Sequence, residues 1–317
     1  MKRRPLLALA AFGAARADAV AVRLIVGFAP GGTGDFVARA LAEQLRALGM
    51  GGPLIVDNRP GGSGVLAVRA LESAPADGRT LLSTPASTLT LLPHTHRRVP
   101  FDGLRDLLPL ACVSELDFAL ACHAGMGARS AAEALTLAAA RPALAIFATA
   151  GSGSMPHLLG RLLARRAGVE LVHAPYRGSG PALQDLIGGQ VPMGLLSLSE
   201  GLLRAHREGR VRLLATTGTR RSRFVPGIGT LQEAGFAGVA GSDWSLVAAP
   251  RATPPALAER LSSQLADACR TPAFAQTLAR VCIEPMALAR PQLMARLAGE
   301  HEALGRVVRD ERISAEG

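Results

Sequence analysis

Two glycine-rich turns hold the residue types best placed to do chemistry. FAPGGTGD (28–35) contains Phe28, Gly31, Gly32, Thr33 and Asp35, and ATAGSGSMPH (148–157) contains Thr149, Ala150, Ser152, Ser154 and His157. Gly31 and Gly32 open backbone conformations closed to other residues, Thr33 is placed to cap a following helix, and Asp35 to return a hydrogen bond to the capping turn. Each turn then presents a helix N-terminus with free amides. Such an end attracts an anionic oxygen through its N–H groups and the helix dipole, by about 0.3 to 1 kcal/mol per exposed interaction. Two of them facing each other would clamp a carboxylate.

Other chemistries fit less well. Glycine turns between strand and helix recur in α/β proteins that bind nothing there. Neither turn has the G-x-x-x-x-G-K-[ST] or G-x-G-x-x-G spacing of a phosphate-binding loop, which argues against a nucleotide. Ser154 and His157 could be read as half of a hydrolase, but no G-x-S-x-G elbow surrounds any serine, and His157 reads first as a helix-start histidine with a local hydrogen bond. Tyr176, in HAPYRGSGPAL (173–183), has a hydroxyl free to meet a ligand or a backbone carbonyl.

The elements that must position these turns follow from hydrophobic periodicity. Val22–Phe28 reads as a buried strand, Asp35–Leu48 as a helix with an apolar stripe, Leu54–Val56 as a strand, Val65–Ser73 as a helix and Thr80–Thr84 as a strand. A second series runs through a strand at Leu144–Thr149, a helix at His157–Arg166, a strand at Glu170–His173, a helix at Pro181–Ile187 and a strand at Val211–Ala215. Helices follow at Pro254–Ala268, Pro272–Val281 and Gln292–Arg309. Two strand–helix series predict an α/β protein with largely parallel sheets.

Composition supports a folded chain and narrows its partners. Of 317 residues, 49% are hydrophobic and 19% charged, enough to bury a sizeable core. Aromatic residues are only 3%, which argues against stacking platforms for single-stranded nucleic acid. The net charge of +10 comes from singly scattered arginines, Lys2 being the only lysine, so no basic block points to nucleic acid or an acidic membrane.

Residues 1–19 have the layout of an export signal: Lys2, Arg3 and Arg4, an apolar stretch from Leu6 to Ala15, and small residues at Ala15, Ala17 and Ala19. Sec and twin-arginine export both fit this layout. The four cysteines, Cys112, Cys122, Cys269 and Cys282, match no metal spacing, and no metal or cofactor is expected. Disulfides Cys269–Cys282 and Cys112–Cys122 and four buried free thiols stay open as alternatives.

Taken in order, VRLIVGFAPGGTGDFVARALAEQL (22–45), VDNRPGGSG (56–64), PADGRTLL (75–82), VPFDGLRDLLPLA (99–111), TAGSGSMPHL (149–158), HAPYRGSGPALQDLIGGQV (173–191) and WSLVAAPRATPPALAERL (244–261) resemble the Bug-type extracytoplasmic solute receptors associated with tripartite tricarboxylate transporters. The resemblance implies a type II-like periplasmic binding protein fold with two α/β domains closing on a cleft. It places crossovers near Ala121 and Ser245, with domain 1 over 20–121 plus 246–317 and domain 2 over 122–245. It also implies a small carboxylate ligand held by the two turns already named, largely through amides, hydroxyls and water. Thr84, Ser87, Tyr176 and Ser197 are further ligand candidates. Without a buried arginine, convergent N–H and O–H donors must satisfy the ligand's charge.

The sequence departs from that pattern after GGQV, where Pro192–Ser197 carries no acid. The cleft floor is therefore expected to be less polar and to favour an apolar or purely carboxylic acid over an amino acid. The leading reading is a monomeric, periplasmic, non-catalytic receptor delivering a carboxylate to a permease or a sensor. The alternative is an exported serine hydrolase using Ser154 and His157.

Overall fold

The computed structural model describes residues 21–49 and 54–314; the export signal expected over 1–19 lies outside the described residues. The first series forms β1 (Val22–Val26), α1 (Thr33–Ala47), β2 (Leu54–Asn58), α2 (Val65–Glu72) and β3 (Thr80–Pro85), with two short helices, α3 (Ser87–Thr90) and α4 (Leu92–Thr95). A long strand, β4 (Leu107–His123), leads to α5 (Ala131–Ala140), β5 (Ile146–Thr149), α6 (Met155–Ala167), β6 (Val172–Pro175), α7 (Ser179–Ile187), β7 (Met193–Ser197), α8 (Glu200–Arg207) and β8 (Val211–Thr216). The chain returns through β9 (Ser242–Pro250) to α9 (Pro255–Cys269), α10 (Pro272–Ala279), β10 (Glu284–Pro285) and α11 (Arg290–Asp310).

The strands make two sheets that share β4. In one, β2, β1, β3, β9 and β4 lie side by side; β4 pairs with β9 from Leu107 to Asp117. From Phe118 to His123 the same strand pairs with β7 on one side and β8 on the other, and β5 and β6 extend that second sheet. The change of partner falls between Asp117 and Phe118. The pairings of β1 with β2 and β3, and of β5 with β6 and β7, are parallel, whereas every pairing of β4 and β9 is antiparallel. The sheets are thus mixed, not largely parallel: helical crossovers produce parallel neighbours, and the strands passing between the sheets run against them.

Helices cover both faces of each sheet. Val37, Leu41 and Leu45 recur every fourth residue and bury the inner face of α1 with Leu265 of α9 and Leu278 of α10. On the opposite face, α2 and the first half of α11 pack Leu71, Leu293 and Leu297 around Leu82 and Trp244. The second sheet is covered by α5 and α6 on one side and by α7 and α8 on the other. α11 reaches both sheets: Val308, with Ile313 just beyond the helix, joins Leu158 and Leu162 of α6, and Arg165 and Arg166 pair with Glu311 at 3.1 and 2.8 Å.

All four cysteines are buried free thiols, which decides between the alternatives left open by their spacing. Burial in the core, the largest effect on each, pushes Cys112 and Cys269 up to about 12 and Cys122 and Cys282 up to about 11.

Candidate ligand site

The turn after β1 is held from below. Gly31 adopts φ +78°, the left-handed region, and its N–H donates to Asp35 Oδ2 at 3.0 Å, while Arg39 Nε donates to the same oxygen at 2.9 Å. Asn58 Nδ2 donates to the Phe28 carbonyl at 3.0 Å and fixes the other end. Burial would raise the Asp35 carboxyl, but Arg39, the Gly31 N–H and Asn58 outweigh it and hold it below the ordinary aspartate range. The expected return bond of Asp35 is present. Thr33 does not cap: Gly32 is the N-cap residue, no side chain caps it, and Thr33 is the first helical residue. The opening amides of α1 are therefore left without a side-chain cap.

The turn before α6 is built by the same device. Ser154 is the N-cap residue, yet its Oγ donates to the Gly151 carbonyl at 2.6 Å and leaves the helix amides uncapped. Gly153 has φ +69°, and a Cβ there would overlap the His96 ring. Its N–H donates to His157 Nδ1 at 3.1 Å. The His157 ring stacks on His173 at 3.9 Å, and His173 Nε2 lies 2.7 Å from Thr149 Oγ1. Burial first, then neighbouring charges, lowers His157 to about 3 and His173 to about 4, so both rings are neutral and support the turn.

A third helix start completes the set. Gly178, at φ 118°, is the N-cap residue of α7 without a side-chain cap, and its N–H donates to the Ala150 carbonyl at 2.9 Å, tying the third turn to the second. The starts of α1, α6 and α7 all line one cavity of about 170 Å³. Phe28, Pro30, Leu116, Phe118 and Pro156 supply apolar walls, Ser87, Ser154, Ser179 and Ser197 supply hydroxyls, and Arg177, Asp243 and Ser245 complete the lining. The Ser179 and Ser197 hydroxyls are 3.1 Å apart.

The pattern of the tripartite tricarboxylate transporter family receptor matches residues 37–313. The chain belongs to that receptor family. BugT of Bordetella pertussis is 32% identical over 294 residues, covering 91% of this chain and 88% of the relative. Among solved structures, Rpa4515 of R. palustris with adipate aligns with TM-score 0.87 at 27% identity, over 92% of this chain and 97% of that one. MatC of Rhodopseudomonas palustris with bound malate aligns with TM-score 0.82 at 27% identity, over 91% and 98%.

In this receptor the cavity gathers Phe28, Gly31, Gly32, Thr33, Ser87, Ala150, Ser154 and Ser197 of the residues singled out in the sequence. The others stand behind it or beside it. Asp35, Thr149 and His157 are buried in the bonds that shape the turns, and Thr84 Oγ1 donates to the Pro85 carbonyl at 3.3 Å. Ser152 and Tyr176 line a neighbouring groove, and the Tyr176 hydroxyl donates to Asp185 at 2.7 Å. Ser154 and His157 are each committed to backbone, Ser154 Oγ giving its proton to a carbonyl and not to the imidazole.

Three features of the receptor escape the sequence reading. The α7 start bears GSG in HAPYRGSGPAL, a segment in which the sequence analysis singles out only Tyr176. Arg177, an exposed residue, also lines the cavity. Asp243, at the start of β9, lines the cavity too, far in sequence from the Pro192–Ser197 stretch that carries no acid.

Proposed function

We propose that this receptor works outside the cytoplasm, captures a small carboxylate in the cavity between its two sheets, and passes it to a membrane permease or a sensor without chemical change. The observation that carries this reading is the convergence of three uncapped helix starts on one cavity. Partial positive charge from each dipole and a set of unpaired amides suit a carboxylate, and the apolar wall suits a hydrocarbon body. Relatives solved with adipate and with malate support the same ligand class.

The two sheets then act as two lobes. The chain passes from one to the other at Asp117–Phe118 in β4 and back at Gly241–Ser242, ahead of β9, and closure turns about these two crossings. The test is thermal unfolding of the protein lacking residues 1–19 against mono-, di- and tricarboxylates, neutral analogues and esters. A bound acid at about a hundred times its Kd adds roughly 2.7 kcal/mol of stability and raises Tm. A selective shift by an acid and none by its neutral analogue is the expected result; ester turnover lost in Ser154→Ala would reverse the reading.

A further inference from the structure

One cavity group is not needed to hold a carboxylate. Asp243 is 7% exposed and lines the same cavity as the three helix starts. Its Oδ2 accepts from the Ser87 hydroxyl at 2.5 Å, and its Oδ1 accepts from the Trp244 N–H at 2.9 Å and the Ser87 N–H at 3.4 Å. These bonds fix its orientation and are all to neutral donors. Among the described residues no Lys, Arg or His pairs with it, and the charged neighbour that acts on it is another acid, Glu300 of α11. The lining of the cavity therefore combines helix starts and Arg177 with an acid that has no cation of its own.

A buried carboxylate without a cation is costly, and a ligand can remove that cost by bringing one. We propose that Asp243, oriented by Ser87, reads a second polar group on the ligand, and that this group is an ammonium: the receptor takes a small amino acid with its carboxylate at the helix starts and its amine at Asp243. The inference rests on the carboxylate reading above and is opposite to the preference expected from the sequence of Pro192–Ser197 alone. A dicarboxylate filling the same space would set its second charge against Asp243. Burial foremost, and Glu300 behind it, push the Asp243 carboxyl up to about 7, against the pull of Ser87 and Trp244, so an ammonium arriving beside it would complete its ionisation and release a proton.

The test is titration calorimetry on the protein lacking residues 1–19, near neutral pH, with matched sets: 4-aminobutanoate, butanoate and succinate; norvaline, pentanoate and glutarate. In at least one set the amino acid is expected to bind about tenfold or more tighter than both partners, with protons released to the buffer in proportion to binding. Asp243→Asn should bring the amino acid and its deaminated partner within about threefold of each other. Ser87→Ala, which keeps the charge and removes its orienting hydroxyl, should retain the preference in reduced form. Tighter binding of the deaminated acid or the dicarboxylate, or an amino preference that survives Asp243→Asn, overturns the inference and leaves the carboxylate reading standing. Failure of every acid in the panel to bind overturns both.

Discussion

Ser63, in the turn between β2 and α2, donates its hydroxyl hydrogen to the carbonyl of Ser152, in the turn before α6, at 2.7 Å. One residue belongs to the first sheet's loops and the other to the second's, and the bond crosses the groove beside the ligand cavity. Gly151 lies against the same contact, with Ser63 Oγ 3.1 Å from where its Cβ would stand. The position of one helix start is thus set partly by the opposite sheet.

Ser63→Ala is expected to loosen that approach and weaken binding of a cavity ligand by roughly two- to tenfold, the range of one net hydrogen bond. Ser63 is itself at φ 53°, so Ser63→Gly, which relaxes the backbone while also removing the hydroxyl, separates the two effects. Equal affinity for wild type and Ser63→Ala by calorimetry would show that the bond does not hold the sheets together.

Gly153→Ala should cost more stability than Gly168→Ala by about 1 to 3 kcal/mol. Both glycines have a positive φ, at 69° and 64°, so both variants carry the same backbone strain. A Cβ at Gly168 meets no atom within 4 Å, whereas one at Gly153 would strike His96 and Thr95. Urea unfolding of the two variants reads the difference directly.

The pH dependence of stability has two opposed parts. His157 and His173 are lowered to about 3 and 4 from 6.5, so the unfolded chain binds their protons first and stability is lost as pH falls below 6.5 towards those values. Asp243 is raised from 3.8 to about 7 by burial and Glu300, and Asp117 from 3.8 to about 6 by burial, Glu115 and Glu284, with Arg220 opposing. Their contribution is fully present below 3.8 and is lost as pH rises towards 6 and 7. Around pH 5 the four groups nearly cancel. Asp243→Asn removes one compensating proton, so its stability should fall on acidification more steeply than wild type by roughly 1.4 kcal/mol per pH unit. Parallel pH profiles for the two proteins in urea would refute the assignment.

Without reductant, all four thiols should react with a chromogenic disulfide reagent in denaturant and scarcely at all in the native protein. Each is buried, free and raised to about 11 or 12, which leaves little thiolate near neutral pH. Two thiols or none in denaturant would mean that a bridge forms.

Local chemistry made much of this protein readable from its sequence. Apolar periodicity placed α1, α2, α6, α9 and α10 within two residues at each end, because each buries one stripe and is bounded by glycine, proline or a polar turn. The glycine turns at 28–35 and 148–157 were visible for the same reason, since left-handed backbone at Gly31 and Gly153 is a property of those residues. β4 was not readable. LLPLACVSELDFALACH is buried along most of its length and serves two sheets, so it shows no alternation, and Pro109 interrupts it.

What tertiary structure decided is which of these pieces meet. Asp35, Thr149 and His157 share turns with cavity residues yet face backbone, because a turn needs internal acceptors as much as a ligand needs donors. Asp243 and Ser87 stand 156 residues apart and are joined only because β9 pairs with β3 at the sheet's edge of the cavity. Sequence determines where a helix can start and which amides are left free; whether an acid lines the same cavity depends on strand order, which no local pattern encodes.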